Sequence, residues 1–332
     1  MKAAAVLGAG SWGTALAVHL ARAGHDVRLW ARDNELAAGI NRARENVSYL
    51  PGTPLPSNVT IPQELADALR AADLVVSAVP SHGLRNVMRM AQPHLTPHAP
   101  IVSATKGLEA DTLCRMSEVI AEECGAAHAV VVLSGPSFAS EVARQLPTAI
   151  VAASADASAI ERVQHEFRTS YFRLYGTTDV VGVEIAGAMK NVIAIAAGVV
   201  EGLGLGQNAL AALITRGLAE ISRLVIAAGG RRETTAGLSG LGDLVLTCTG
   251  SLSRNRHVGL QLATGKTLPE IVASMKMVAE GIRTTSAAVA LGRKYDVELP
   301  IVTQMAAVFD GRSSVPAAIE ALMVRPQRAE SA

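Results

Sequence analysis

The stretch VLGAGSWGTAL (6–16) places Gly8, Gly10 and Gly13 at the spacing G-x-G-x-x-G. It follows an apolar run that is predicted to be a strand, and it opens a segment in which apolar residues recur at helical spacing. A second apolar run, DVRLW (26–30), comes shortly afterwards. A glycine turn that joins a buried strand to a helix, followed by another strand, predicts the first unit of an open α/β sheet.

Each glycine in such a turn has a physical task when a dinucleotide binds. One glycine allows the tight turn, another lets the pyrophosphate approach the backbone, and the third lets the helix pack closely on the strand. The helix then presents its unpaired N–H groups and the positive end of its dipole to the phosphates. The motif alone is a weak signal, but its place between a strand and a helix favours NAD or NADP as cofactor.

The residues after the second predicted strand bear on the choice between these cofactors. An NAD-specific site usually has an acidic residue there, which binds a ribose hydroxyl. This chain has Arg32 and then Asp33. Arg32 can pair with the 2′-phosphate of NADP or be a solvated surface charge, and Asp33 is predicted to cap the next helix. We therefore favour NADP and keep NAD as the alternative.

The first half of the chain alternates predicted strands with helical segments. Continuous β-branched runs are typical of strands covered on both faces, as in a parallel sheet. After Tyr175 the apolar runs become long and alanine-rich, which predicts packed helices. The sequence thus predicts an α/β fold, with a Rossmann-like, mostly parallel sheet domain at 1–178 and an all-helical domain at 179–332. The predicted strands are AAAVLG (3–8), DVRLW (26–30), DLVVSAV (73–79), PIVSAT (100–105), AVVVLS (129–134) and TAIVAA (148–153).

Composition narrows the range of partners and locations. The net charge is +1, so no charge excess points to nucleic acid or to an anionic membrane. The apolar segment 185–200 is shorter than the roughly 20 residues that cross a bilayer and contains Lys190, so we predict a buried helix and no membrane span. The opening apolar run is broken by glycines and is not predicted to be a signal peptide. An odd number of cysteines without metal or redox spacing favours the cytoplasm.

Several predicted strands are followed by residues suited to a binding site. Lys106 comes directly after the strand 100–105, and Gly135 and Ser137 follow the strand 129–134. A lysine at a strand end is commonly a turn residue. Because open α/β sheets bind ligands beyond the carboxyl ends of their strands, several such turns at one edge indicate a site.

Lys190 lies inside the predicted apolar helix, between Met189 and Asn191. A lysine in such a helix usually extends its ammonium to solvent, but apolar residues on both sides leave little polar surface here. Burial lowers the pKa of a lysine, which suits proton transfer near neutral pH. We therefore predict that Lys190 transfers a proton.

The glycine-rich segment 237–259 is the second region that carries candidate residues. Asp243 is predicted either to cap a helix or to orient a lysine. Ser253, Arg254 and Asn255 form a compact set of donors, and a guanidinium matches the geometry of a phosphate. Ser253 can also cap a helix, and such a cap is compatible with phosphate binding.

Other common catalytic patterns do not occur in the sequence. No tyrosine begins a Y-x-x-x-K pair, the pair that reduces carbonyls in another class of dehydrogenase. None of the eight histidines lies in a metal-binding or nucleophile pattern, so no metal site is predicted.

Over nearly its whole length the chain resembles the bacterial-type NAD(P)-dependent glycerol-3-phosphate dehydrogenases. The resemblance rests on six motifs in order, which are far more specific than the glycine turn alone. The family reduces dihydroxyacetone phosphate to sn-glycerol 3-phosphate for phospholipid synthesis, with a Rossmann-like domain followed by a helical one. The motifs are GAGSWGTA (8–15), SATKGLE (103–109), LSGPSFA (133–139), GAMKNVIAIAAG (187–198), GLSGLGDLVLTCTGSLSRNRHVG (237–259) and VAEGIRT (278–284).

The resemblance implies a role for each matching residue. Lys190 would be the proton donor and acceptor, and Asp243 would orient it and contact the triose phosphate. The residues implied to line the substrate pocket or to hold the phosphate of the substrate are Lys106, Gly135, Ser137, Ser253, Arg254 and Asn255. The residues implied to contact the dinucleotide, beside the three glycines, are Ser11, Trp12, Arg32, Lys106, Ala139, Arg254, Val278 and Glu280.

Two other functions fit parts of the pattern. A related dehydrogenase acting on a hydroxy acid also uses a lysine on a helix, and an arginine binds a carboxylate as well as a phosphate. A non-catalytic dinucleotide sensor would leave Lys190 and Asp243 without a purpose. We also expect a homodimer, because alanine- and glycine-rich helices can pack across a two-fold axis.

Overall fold

The computed structural model describes residues 2–275, 279–327 and 329. Its strands end at Thr177, and from Val180 onward the described elements are helices. This is the predicted α/β architecture, a mostly parallel sheet followed by a helical part. The change of architecture coincides with the predicted division into 1–178 and 179–332, which stays a proposal.

The sheet contains the six predicted strands and two more. Among the described residues the strands are β1 (Ala3–Leu7), β2 (Asp26–Trp30), β3 (Val59–Thr60), β4 (Leu74–Ser77), β5 (Ile101–Ser103), β6 (Val130–Ser134), β7 (Thr148–Ala153) and β8 (Phe172–Thr177). Their order across the sheet is β3-β2-β1-β4-β5-β6-β7-β8. Neighbouring strands are parallel except β6 and β7. The winding reverses between β1 and β4, and a doubly wound sheet binds its ligand in the crevice at that reversal.

The two additional strands, β3 and β8, lack continuous apolar runs. β3 has only two residues. β8 reads FRLYGT, and buried residues alternate with exposed ones along its first four positions. An edge strand with one covered face follows this period of two, whereas the predicted strands were identified by continuous burial.

Helices cover both faces of the sheet. In β1, Ala4 and Val6 belong to the core on one face, and Ala5 and Leu7 belong to the core on the other. The helices of this part are α1 (Ser11–Arg22), α2 (Asn34–Ala43), α3 (Leu65–Leu69), α4 (Ser81–Ala91), α5 (Met116–Cys124), α6 (Ala139–Ala143) and α7 (Ala157–Glu166), with a 3-10 turn at Gln92–His94. The helix α5 begins at Met116, and the carboxylate of Glu118 in its first turn accepts a hydrogen bond from the backbone N–H of Arg115, the N-cap residue, at 2.8 Å.

The helical part is built around one long buried helix, α8 (Val180–Gly202). It is long and apolar enough to cross a membrane, but 89% of its apolar window is buried inside the protein, as expected of a core helix. The other helices are α9 (Gly206–Ala227), α10 (Arg232–Ala236), α11 (Asp243–Thr249), α12 (Arg254–Ala263), α13 (Leu268–Ser274), α14 (Glu280–Lys294), α15 (Pro300–Phe309) and α16 (Val315–Met323), and a π-helical turn spans Leu238–Gly242.

Glycines let α8 and α12 touch along their backbones. A Cβ on Gly259 would lie 1.9 Å from the carbonyl oxygen of Ile195, and one on Gly198 would lie 2.0 Å from that of Arg256. Neither position therefore accepts a side chain. This contact brings the N-terminus of α12, with Arg254, beside the middle of α8, with Lys190.

Candidate active site

The glycine turn lies at the reversal of the sheet, as the motif predicts. Gly8 has φ +106°, and a Cβ there would come 2.8 Å from the carbonyl oxygen of Ala78, just after β4. A Cβ on Gly13 would lie 1.8 Å from the carbonyl oxygen of Gly8, so α1 can pack on the turn only if residue 13 is glycine. Gly10 differs, because no described atom lies within 4 Å of its Cβ position. The backbone at Gly10 is thus open to a ligand.

These features suit the pyrophosphate of a dinucleotide. Gly10 is the N-cap of α1 and offers no side-chain acceptor, and the first turn contains no acidic residue. A bound phosphate would meet N–H donors and the positive end of the helix dipole. Beside the turn, Trp12 and Ala139 pack against one small apolar cluster, while the Ser11 hydroxyl donates to the carbonyl oxygen of Tyr49. The residues present therefore fit the cofactor.

Asn46 holds the turn in place, although it was not among the predicted site residues. Its side chain is fully buried, and its Nδ2 donates to the carbonyl oxygen of Ala9 and to the hydroxyl of Thr14, at 2.9 and 2.8 Å. Asn46 lies in no recognised motif, and its partners are more than thirty residues away. Only the folded chain reveals this contact.

Arg32 and Asp33 follow β2 at the same edge of the sheet. Asp33 accepts hydrogen bonds from the backbone of α2, which confirms the predicted cap. Arg32 is exposed. Partial burial lowers the pKa of His82 in the first turn of α4, and Arg283 and Arg32 add to this effect while Glu280 opposes it. Arg32 and Arg283 thus lie within electrostatic range of the strand ends that flank the glycine turn.

Glu280 joins the helical part to the sheet at this edge. Its Oε2 accepts a hydrogen bond from the Ser81 hydroxyl at 2.7 Å, and its Oε1 accepts one from the Ser81 backbone N–H at 3.2 Å. Ser81 begins α4, directly after the β4 turn. The first residue of α14 is therefore held beside the glycine turn, where the resemblance implies a dinucleotide contact.

Lys190 and Asp243 meet inside the helical part. The Lys190 side chain is 7% exposed, and its ammonium donates to the Asp243 carboxylate and, at 2.8 Å, to the Thr247 hydroxyl. Asp243 is the first residue of α11 and is 1% exposed. The N-cap of α11 is Gly242, and the contact of Asp243 with Lys190 favours the orienting role, which stays a proposal. Lys190 does not extend to solvent.

Lys106 approaches the same carboxylate from the sheet. Its ammonium donates to Asp243 Oδ2 at 2.6 Å and to the carbonyl oxygen of Gly135 at 3.3 Å. Gly135 has φ +138°, and a Cβ there would lie 2.9 Å from the Ile150 Cα, so the turn after β6 requires glycine. Ser137 donates to the same carbonyl oxygen. One carboxylate is thus shared by a lysine from each part of the chain.

This arrangement lowers the pKa values of both buried groups, for different reasons. Burial lowers the pKa of Lys190 to about 7, although Asp243 opposes the shift, and Lys106 lowers it further. Burial alone would raise the pKa of Asp243, but the ammonium groups of Lys106 and Lys190 hold it below its usual range. At neutral pH Asp243 is therefore ionised, and Lys190 can give up or accept a proton.

The segment 253–255 lies beside Lys190. Asn255 Nδ2 donates to Asn191 Oδ1 at 2.9 Å, and Asn255 Oδ1 accepts from the Gly281 N–H at 3.0 Å. The Ser253 hydroxyl accepts from the backbone of α12, which confirms the predicted cap. Asn255 is thus engaged in joining α12, α8 and α14, and its contact with substrate stays a proposal.

Arg254 is the free cation of this segment. Its side chain is exposed, and no hydrogen bond or ion pair joins it to the described residues. The surrounding protein desolvates it enough to lower its pKa, an effect that Glu280 opposes. An unpaired guanidinium near the start of α12 is available to an anion. Val278, also implied to contact the dinucleotide, lies outside the described residues.

The site combines three chemical capacities at one edge of the sheet. The glycine turn fits a pyrophosphate, Lys190 can protonate an oxygen while Asp243 stays charged, and Arg254 can hold an anionic group. Among the described residues no cluster of three or more histidine, cysteine or acidic side chains could hold a metal ion.

Comparison with known families matches both parts of the chain. A model described as the N-terminus of NAD-dependent glycerol-3-phosphate dehydrogenase matches residues 3–160, and the corresponding C-terminus model matches residues 179–320.

Full-length relatives agree with this match. The NAD(P)+-type glycerol-3-phosphate dehydrogenase of Koribacter versatilis is 53% identical and covers 99% of both chains. That of Citrifermentans bemidjiense is 51% identical over 98% of both. A solved glycerol-3-phosphate dehydrogenase from Coxiella burnetii has 40% identity and a TM-score of 0.94, covering 98% of this chain and 99% of the other.

Proposed function

The chain belongs to the NAD-dependent glycerol-3-phosphate dehydrogenase family, and we propose that Lys190, Asp243 and Arg254 carry out the family's reaction in the site described above. The protein is an NAD(P)-dependent oxidoreductase that interconverts dihydroxyacetone phosphate and sn-glycerol 3-phosphate. One observation carries the assignment of residues: the buried Asp243 carboxylate pairs with Lys190 and also with Lys106. Lys106 follows β5 at the edge of the sheet where the glycine turn lies.

The reaction needs one proton and one hydride for each carbonyl reduced. NADPH or NADH supplies the hydride when bound. As negative charge grows on the C2 oxygen, the Lys190 ammonium stabilises it and then delivers the proton from Nζ. Asp243 and Thr247 aim that ammonium through the hydrogen bonds described above.

Arg254 supports the same step from the other end of the substrate. A guanidinium that holds the phosphate converts remote binding energy into orientation at C2. We propose that Lys106, Gly135, Ser137, Ser253 and Asn255 complete the substrate pocket. The Asn191–Asn255 hydrogen bond supports this arrangement, because it joins the residues next to Lys190 and Arg254.

The activity test is oxidation of NADPH by the purified chain, followed by absorbance. Dihydroxyacetone phosphate should be reduced, whereas dihydroxyacetone without phosphate and small 2-oxo acids should react far more slowly. A preference for a 2-oxo acid would favour the hydroxy-acid dehydrogenase alternative. Cofactor binding with no turnover of any of these compounds would favour the sensor alternative.

The pH dependence should report the protonation of Lys190. Reduction requires the ammonium, so its kcat/KM should fall as the pH rises through about 7; oxidation of glycerol 3-phosphate requires the neutral amine, so its kcat/KM should rise over the same range. Initial rates at low substrate concentration in both directions measure this. A Lys190→Arg variant, whose guanidinium does not titrate here, should lose the inflection. Profiles that move in the same direction for both reactions would contradict the assignment.

Arg32 should determine how strongly NADP is preferred. We propose that its guanidinium pairs with the 2′-phosphate, supported by its exposed place at the end of β2. Arg32→Ala should raise KM for NADPH by about tenfold, since a hydrogen bond to a charged group contributes about 1.5–3 kcal/mol. KM for NADH should change little. Arg42→Ala, also exposed and at the end of α2, is the matched control. An equal effect on both cofactors would exclude the pairing.

The oligomeric state and the location of the protein are also proposals. We propose that the protein is a homodimer, supported by the exposed Leu203 and Leu205 between α8 and the alanine-rich α9. We also propose that it acts in the cytoplasm, supported by its three free cysteines. Sedimentation equilibrium would show a mass twice that of the chain, and a monomer would exclude the dimer.

A further inference from the structure

We propose that Glu184 is a positioning residue, which with Arg115 and Ser117 forms a clamp between the helix that carries Lys190 and the loop that carries Lys106. We call these three residues the Glu184 clamp. The inference rests on the proposed roles of the two lysines. It concerns how their separation is fixed.

The clamp is a set of short contacts between α8 and the start of α5. Glu184 Oε2 accepts from Arg115 Nη1 at 2.8 Å and from the Ser117 hydroxyl at 2.5 Å. Glu184 Oε1 accepts from the Ser117 backbone N–H at 2.8 Å. Both oxygens of one carboxylate are therefore held by donors from a helix of the sheet part.

The clamp is buried, so its geometry is firmly determined. The Glu184 side chain is 3% exposed and that of Arg115 is 19% exposed. Burial raises the pKa of Glu184, and Arg115 is the main group that opposes this shift. A buried carboxylate is tolerated when it is paired and fully hydrogen-bonded, and removing a partner is then costly. Glu184 thus has one favourable position, which fixes α8 in rotation and along its axis.

On one side the clamp connects to Lys106. Arg115 forms an isolated bridge with Leu108, two residues after Lys106, and this bridge closes the loop that follows β5. Leu108 also packs in the core cluster of the helical part, together with residues of α8. The loop that starts at Lys106 is therefore attached to α8 at both of its ends.

On the other side the clamp connects to Lys190 along α8. Gly187 lies midway between Glu184 and Lys190, three residues from each. A Cβ on Gly187 would lie 2.8 Å from the hydroxyl of Ser134, which ends β6, so α8 rests directly on the sheet edge there. Because Lys106 and Lys190 reach Asp243 from different parts of the chain, the docking of α8 determines how far apart their ammonium groups lie.

A purely structural role for Glu184 is the competing explanation, and the chain offers a matched control for it. Glu220 on α9 is also buried, at 3% exposed, and accepts from the backbone N–H groups of Ile301 and Val302. It joins two helices of the helical part and contacts neither lysine. A change at Glu220 should alter stability without altering the geometry at Asp243.

The test compares Glu184→Gln, Glu220→Gln, Lys106→Ala and the double variant Glu184→Gln/Lys106→Ala by kcat, KM and thermal midpoint. Glu184→Gln should lower kcat at least about tenfold, with little change in KM, because small displacements of catalytic groups cost up to about 10²-fold. Glu220→Gln should lower only the midpoint. In the Lys106→Ala background, Glu184→Gln should change kcat by less than about twofold, since coupled residues are not additive.

The outcomes separate the clamp from the proposed function. If the wild-type chain does not reduce dihydroxyacetone phosphate, the proposed function fails. If the wild-type chain turns over and Glu184→Gln leaves kcat unchanged, or if its full effect persists without Lys106, the clamp is wrong. Should Glu184→Gln not fold, Ser117→Ala removes one donor and keeps the Arg115 pair. It should then show a smaller loss in kcat that also vanishes in the Lys106→Ala background; an unchanged kcat would overturn the clamp.

Discussion

Replacing Lys190 by alanine should lower kcat for the reduction of dihydroxyacetone phosphate by roughly 10²–10⁴-fold, the usual contribution of a general acid. The variant lacks both the proton and the positive charge that meets the developing oxyanion. Asp243 keeps its contact with Lys106, so the buried carboxylate remains paired and the fold should survive. Stopped-flow absorbance of NADPH under single-turnover conditions would measure the chemical step directly.

Two controls make this result specific. Lys190→Met preserves most of the side-chain volume without the ammonium, so an equal loss in both variants assigns the effect to charge and not to a cavity. NADPH binding, measured by fluorescence titration, should be nearly unchanged, since the described contacts of Lys190 are with Asp243 and Thr247 and not with the glycine turn. Turnover near that of the wild type in either variant would remove Lys190 from its proposed role.

Replacing Arg254 by alanine should raise KM for dihydroxyacetone phosphate by about 10²-fold or more. Each hydrogen bond to a charged group is worth about 1.5–3 kcal/mol, and a guanidinium can make two to one phosphate. Because no described residue pairs with Arg254, its removal leaves no buried partner uncompensated. Initial rates over a range of substrate concentrations would give the change.

A neighbouring arginine provides the matched control for this prediction. Arg256 lies two residues further along α12 and is paired with Glu201 through its Nε at 2.6 Å. Arg256→Ala should therefore leave KM close to the wild-type value. Dihydroxyacetone without phosphate should react equally poorly with the wild type and with Arg254→Ala. If Arg254→Ala weakened both substrates alike, the phosphate contact would be excluded.

The sequence predicted those parts of the site that depend on local rules. The glycine turn and the caps Asp33 and Ser253 follow from backbone chemistry within a few residues. The burial of Lys190 follows from the apolar residues on every side of its helix. Each of these features leaves a pattern among residues that are close in sequence, so it can be predicted before the fold is known.

Contacts between distant segments could not be predicted in this way. The pairing of Lys106 with Asp243 joins residues 137 positions apart. The choice between the two roles of Asp243 depends on where Lys190, 53 positions away, lies. Asn46 and Glu184 belong to no motif, so only the packing of α1 and α8 reveals what they hold. The edge strand β8 was missed because its alternating burial differs from that of the central strands.

The most direct measurement is a crystal structure of the protein with NADP+ and glycerol 3-phosphate. We expect the phosphate oxygens to be hydrogen-bonded to the Arg254 guanidinium and the C2 oxygen to lie within hydrogen-bond distance of Lys190 Nζ, with Asp243 still bound to that ammonium. An ordered complex in which Lys190 Nζ does not reach the C2 oxygen, or in which the phosphate lies away from Arg254, would contradict the proposed mechanism.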